Sequence, residues 1–277
     1  MDGHFRAFSF VDRITSVEPG VRIRGMYTIP ADITEFPVSL VSEAVGQLAA
    51  WSSMAALDFK VRPVAGLAGR IDLLSEVKPG QTLELAAEIE TAEMDAVAYG
   101  GTAHVDGKPV VKLEHCVGPM MPIEDFDAAD AVRGRFAFLR DTGAECGGFA
   151  GLPTLELEPG PSEVGQSEPG KFMRGTLRVP TEAPFFADHF PRRPVFPGTL
   201  LMHMNLRLAA SLAGEAWRMR SVTDVKLRAF TPPGEVLALE AKIGETTDDA
   251  LEIIVETRNG KRLVGGGRVQ FSREEKP

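Results

Sequence analysis

Cysteine is nearly absent: Cys116 and Cys146 are the only two in 277 residues, far apart and outside any metal-ligand spacing. A disulfide framework is therefore not expected, and a reducing cytoplasm is the expected compartment. Basic charge is also short. Thirty Lys and Arg face 39 Asp and Glu, for a net charge of −9 and a pI near 5.2. That is the wrong sign for a nucleic-acid partner, whose phosphates need a basic footprint. The opening segment MDGHFRAFSFVDR has no apolar stretch of the kind a secretory signal carries. A long hydrophobic run is missing too. The nearest, FPVSLVSEAVGQLAAWSSMAAL (Phe36 to Leu57), holds Glu43 and Gln47 and is rich in small residues. A membrane span wants about 20 strongly apolar residues, so this segment reads as a helix buried in protein. What is present is the composition of a soluble globular chain, 44% hydrophobic and 25% charged, long enough to bury two cores.

The chain is written twice. EPGVRIRGMYTIP from Glu18 matches EPGKFMRGTLRVP from Glu168 at an offset of 150. PGQTLELAAEIE from Pro79 resembles PGEVLALEAKIG from Pro233, and DGKPVV from Asp106 resembles NGKRLV from Asn259. Alternation in TLELAAEIE and VLALEAKI predicts strands with one buried face. Asp106-Gly107 and Asn259-Gly260 predict hairpin turns. Helices are predicted from Val38 to about Leu57 and from Gly198 to about Leu212, where Gly214 is a stop signal. Each half thus reads as a hairpin, a helix, then three or four long strands. One helix wrapped by an antiparallel sheet, twice over, predicts an α+β double hotdog in which a fused chain imitates a dimer. The expected divisions are 1–120, a connecting segment with a short helix at 121–149, and 150–277, with the boundary in the Gly/Pro-rich stretch near residue 150. The assembly expected is a pseudo-dimeric monomer or a homo-oligomer of such units.

FFADHFPRRPVFPGTLL, from Phe185, closely resembles the active-site segment of the β-hydroxyacyl-acyl-carrier-protein dehydratases of the FabZ/FabA type. Many positions match at fixed spacing: Phe185, Phe186, His189, Phe190, Pro191, Pro194, Pro197 and Gly198. FSFVDRITSVEPG resembles the opening strands of the same family. The second half departs from the pattern, with Asp188 where the family has glycine. Fourteen residues after His189, the slot for the helix carboxylate holds His203, and the following glutamine slot holds Arg207. The first half has the opposite defect. PVSLVSEAVGQ aligns with PGTLLMHMNLR at an offset of 160, so Glu43 and Gln47 stand in the family's E-A-x-x-Q. The offset grew from 150 because about ten residues, the histidine loop itself, are missing between Pro30 and Pro37. In the resembled family one subunit supplies the histidine and the other the carboxylate. The resemblance therefore implies one composite site, His189 with Glu43, and a second site that is dead.

Dehydration of a 3-hydroxyacyl thioester to the trans-2-enoyl thioester needs a base at the α-carbon and an acid at the β-hydroxyl. Neutral imidazole suits the first task near pH 7, so His189 is the expected base. A carboxyl in an apolar tunnel can donate to the leaving hydroxyl, so Glu43 is the expected acid. By resemblance the Val195 carbonyl orients the imidazole. Gly198 opens a helix, so its N–H is free to polarise the thioester carbonyl. Gln47, one turn after Glu43, is placed to hold that carboxyl. Phe185, Phe186 and Phe190 are expected to line or gate an acyl tunnel. Arg192 and Arg193 are a rim for an acidic carrier protein, with a plain solvated turn as the alternative. Asp188 would weaken the base if it faced the ring. His104 and His115 lie on strands without metal spacing, and no metal or cofactor is expected. The expected substrate rides on acyl carrier protein or coenzyme A in fatty-acid or polyketide-like lipid synthesis. The alternatives are a hotdog thioesterase, or a non-catalytic acyl-binding partner. Polyketide-synthase dehydratases carry the histidine in the first half, and Arg193 occupies the glycine slot of their H-x-x-x-G-x-x-x-x-P pattern.

Overall fold

The computed structural model describes residues 4–145, 149, 155–159, 167–168 and 170–273. The expected boundary at residue 150, most of the Gly/Pro-rich stretch and Cys146 lie outside the described residues. In chain order the strands are β1 (Arg13–Glu18), β2 (Arg22–Thr28), β3 (Val61–Pro63), β4 (Leu67–Leu73), β5 (Thr82–Ala92), β6 (Ala96–Val105), β7 (Lys108–Pro122), β8 (Leu157–Pro159), β9 (Phe172–Arg178), β10 (Trp217–Leu227), β11 (Val236–Thr246), β12 (Ala250–Asn259) and β13 (Arg262–Arg273). The helices are α1 (Val38–Ala56), α2 (Ala129–Asp141) and α3 (Gly198–Ala213).

Among the described residues the strands form one antiparallel sheet in the order β1-β2-β5-β6-β7-β4-β10-β13-β12-β11-β9-β8, with β3 paired to the end of β7. The order is a palindrome of the repeat. β2, β5, β6, β7 and β4 of the first half answer β9, β11, β12, β13 and β10 of the second, and the halves join where β4 meets β10. Repeat alternation sets the inner face of each half: Leu83, Leu85, Ala87 and Ile89 on β5, and Leu237, Leu239 and Ala241 on β11. This is the α+β double hotdog.

Each half wraps its own helix, and α1 and α3 also meet one another. α1 is buried on almost every side, from Leu40 and Val41 to Leu48 and Met54. Glycines on the sheet let it come close. A Cβ at Gly101 would stand 2.5 Å from Val45 Cγ1, and one at Gly25 would stand 2.9 Å from Leu48 Cδ1. Truncating a fully buried side chain such as Leu40 costs about 2–5 kcal/mol, because the site refills only partly. α3 stops at Gly214, whose φ of 81° suits glycine. The hairpin at Asp106-Gly107 forms as expected, both residues having positive φ. Its partner forms one residue later than expected. Asn259 still pairs with Arg262, so the turn is Gly260–Lys261, after an irregularity in the ladder at Thr257/Arg258. No described helix is long and apolar enough to cross a membrane.

Candidate active site

The loop before α3 starts with a 3-10 turn, Pro184–Ala187, and leads to His189. His189 N–H donates to the Phe185 carbonyl at 2.8 Å, and Val195 N–H donates to the His189 carbonyl at 2.9 Å. The His189–Phe190 peptide bond is cis. The ring is fixed as firmly as the backbone, since His189 Nδ1 lies 2.9 Å from the Val195 carbonyl oxygen. A carbonyl only accepts, so Nδ1 carries the hydrogen and Nε2 is left with its lone pair. Burial lowers the imidazole from its ordinary value, and the nearby Arg62 charge adds to this. The Glu43 charge and the Val195 bond pull the other way but do not prevail.

Glu43 projects from α1, in the other half. Gln47, four residues on, donates from Nε2 to Glu43 Oε1 at 3.0 Å. Thr199 Oγ1, from the first turn of α3, donates to Glu43 Oε2 at 2.9 Å across the junction of the halves. His189 and Glu43 line the same cavity, of ≈ 230 Å³. Gly198 lines it as well. As the first residue of α3, its N–H has no acceptor within the helix. A Cβ there would sit 2.3 Å from Leu227 Cδ1, so only glycine fits without movement. One end of the cavity is apolar, walled by Ile71, Leu73, Leu113, Val222 and Val225, while Arg62 and Asp127 also reach its wall.

The structure corrects one expectation, on Phe185 and Phe186, and places the residues whose reading was left open. Phe190 lines the cavity, but Phe185 and Phe186 do not. The 3-10 turn directs them into the main core, where Phe185 packs edge-on to Phe8 and Phe196. Arg192 and Arg193 are exposed and lie outside the cavity wall. Arg192 is engaged by the Glu124 carboxylate and carbonyl, and Arg193 lies over Phe230 at 4.7 Å. Asp188 does not act on the imidazole. Its carboxylate accepts from the N–H groups of Phe5 and Phe8 and from Ser9 Oγ. Burial holds it above the usual carboxylate range despite those donors.

Asp188 thereby ties down a segment that the sequence did not mark as part of the site. Gln47 helps, accepting from Phe10 N–H at 2.9 Å and donating to the Phe8 carbonyl at 3.0 Å. Phe5 and Phe8 complete the wall, with the Phe8 ring edge-on to His189 at 5.7 Å. Two further residues were missed. Thr199 had a signal, since the 160-residue offset matches it with another hydroxyl, Ser39. Arg62 had none: it is a lone basic residue in a three-residue strand. His203, outside the cavity wall, is lowered by burial, with Glu35 opposing and Arg207 reinforcing the shift.

A family model described as ApeI dehydratase matches residues 165–266. The 3-hydroxyacyl-[acyl-carrier-protein] dehydratase FabZ of Pectobacterium atrosepticum is 30% identical over 111 residues, which cover 37% of this chain and 67% of that one. FabZ of Sodalis glossinidius is 29% identical over the same shares. The chain belongs to the hotdog dehydratase family that includes FabZ. Solved structures share the whole fold at low identity. A putative oleoyl thioesterase from Lactobacillus plantarum has a TM-score of 0.61 at 10% identity, covering 92% of this chain and 97% of its own. A MaoC-like dehydratase has a TM-score of 0.53 at 13% identity, covering 93% and 98%.

Proposed function

We propose that the chain dehydrates 3-hydroxyacyl thioesters to trans-2-enoyl thioesters at one composite site, with His189 as base and Glu43 as acid. The observation that carries this reading is the pairing across one cavity. A neutral imidazole with its Nε2 lone pair free stands in the same apolar wall as a carboxyl held by Gln47 and Thr199.

Nε2 removes the α-proton, and the charge moves onto the thioester oxygen. The free N–H of Gly198, aided by the α3 dipole, stabilises that oxygen. The Glu43 carboxyl delivers a proton to the β-hydroxyl, which departs as water while the Cα–Cβ double bond forms. Proton transfer from imidazolium to the Glu43 carboxylate resets the pair. The apolar wall keeps water from competing and receives the acyl tail. Acyl carrier protein is the proposed carrier and fatty-acid or polyketide-like lipid synthesis the proposed setting, with the exposed Arg193 beside the loop as a contact for an acidic partner.

The test is product analysis with carrier-bound and coenzyme A-bound 3-hydroxyacyl thioesters of several chain lengths. Formation of 2-enoyl thioester without release of free thiol is expected. Thiol release without enoyl product would make the chain a thioesterase. Binding with neither product would make it an acyl-binding partner.

A further inference from the structure

Arg62 is a charged side chain in the cavity wall whose donors are idle. It belongs to β3, beside Met121 at the end of β7. Its Nε is enclosed and without a partner, and no described residue accepts from its terminal nitrogens. Aromatic rings hold it by its face, with Cζ 3.9 Å from the centroid of Phe190 and 5.9 Å from that of Phe126. Such stacking satisfies the charge in part and leaves the in-plane N–H fork unused. Burial drives its pKa down to about 10, against the opposing pull of Asp127 and Glu43. Nε alone is enclosed; the terminal nitrogens are unpartnered and open to the cavity, where an acceptor from outside the chain can reach them.

Its place in the cavity narrows what that acceptor is. His189 also stacks on Phe190, at 4.2 Å. The two distances to one ring, 4.2 and 3.9 Å, put the guanidinium within about 8 Å of the imidazole. The apolar end of the cavity is elsewhere: the Ile71–Leu113 pair lies eight residues back along β7 from Met121, at most about 26 Å at the rise of a straight strand. Phe126, by contrast, connects Arg62 to the exposed Arg193, 5.6 Å from the same ring. Arg62 therefore marks the end of the cavity opposite the apolar one. With the acyl tail at the apolar end, a carrier arm lies on the Arg62 side. A few bonds beyond its sulfur, at a reach matching the separation from His189, such an arm has an amide carbonyl. The Asp127 carboxylate already acts on the Arg62 charge, so a further anion there would meet a like charge. A neutral acceptor fits.

We propose that Arg62 reads the carrier arm: its N–H fork donates to the amide carbonyl that follows the thioester sulfur, so the site selects amide-bearing thioesters over plain alkyl thioesters. This rests on the reading of the cavity as a thioester site. The test uses Arg62→Met, which keeps the stem and the bulk, and Arg62→Gln should the first variant misfold. Trp51 lines the cavity, so its fluorescence reports binding without turnover. The ligands are an S-alkyl-N-acetylcysteamine thioether and a dialkyl thioether of equal length. Wild type should prefer the amide ligand, and Arg62→Met should lose roughly 10- to 100-fold on that ligand alone, the range of a hydrogen bond to a charged group. In turnover, kcat/KM should fall selectively for N-acetylcysteamine thioesters against S-alkyl thioesters. Equal losses on both ligands would mean a packing role, and an unchanged amide preference would mean no role; either overturns the proposal, as does a wild type that binds neither ligand. An amide preference in a wild type that dehydrates nothing would sink the dehydratase reading and leave this one standing. Dehydration with no amide preference would do the reverse.

Discussion

The repeat creates two junctions where a loop of one half meets the helix of the other, and they have been furnished differently. At the first, the α3 loop brings His189, and α1 brings Glu43 with Gln47 behind it. Thr199 crosses from the opposite helix to hold the carboxyl. At the second, the loop between Pro30 and Pro37 is about ten residues shorter, and the helix slots hold His203 and Arg207. Arg207 donates to the Leu155 carbonyl, as a structural residue does. Ser39, the counterpart of Thr199, lines the first cavity instead, and its buried hydroxyl has no partner. Each half carries one member of the proposed pair and lacks the other.

Substitutions at the two junctions should therefore differ in effect by orders of magnitude. His189→Ala and Glu43→Gln should each lower kcat by about 10²–10⁴, the range for general acid–base groups. The double variant should be little worse than either single one, because both groups serve one transition state. Gly198→Ala should follow with a smaller kcat loss, on the order of 10-fold, because its Cβ pushes aside the Leu227 side-chain tip beside the N–H that faces the thioester oxygen. Leu227→Ala in the same chain should restore part of that loss. Asp188→Ala should cost about 1–3 kcal/mol in an unfolding experiment, because the Phe5 and Phe8 N–H groups lose their acceptor. It should raise KM more than it lowers kcat, because the segment it releases forms cavity wall. His203→Ala at the second junction should leave turnover within about twofold and cost about 1 kcal/mol of stability, the ordinary loss for a half-buried side chain.

The pH profile sharpens the same contrast. Burial and the Arg62 charge disfavour the imidazolium of His189, so its neutral, basic form persists below the ordinary imidazole value of 6.5. Activity should stay level as pH falls through 6.5 and drop only below it. Arg62→Met removes one of the two lowering causes, so the acid limb should move to higher pH. An acid limb at or above 6.5 in the wild type would count against His189 as a buried base.

Most of the fold was legible because it is local pattern repeated: alternation on β5 and β11, one buried helix per half, and Asp-Gly or Asn-Gly turns. The turn at Gly260–Lys261 was misplaced by one residue because a ladder irregularity shifts the register, which no dipeptide signals. In the site, His189, Glu43, Gln47, Val195 and Gly198 stood out through the resemblance to the family's spaced motif. Phe185 and Phe186 were misassigned because a motif gives order along the chain, and a 3-10 turn decides which ring faces the core. Arg62, Phe5 and Phe8 come from segments distant in sequence and meet the loop only in the folded chain. Asp188 was read against its neighbour in sequence, whereas its partners are about 180 residues away.

The central claim, one working site per chain, is tested most directly by counting. A 3-alkynoyl thioester becomes an electrophilic allene only where a base removes its α-proton, so it marks working sites. Intact-mass measurement after exhaustive treatment should show one adduct per chain, on His189, and none in His189→Ala. Two adducts per chain, or an adduct on His203, would contradict the account.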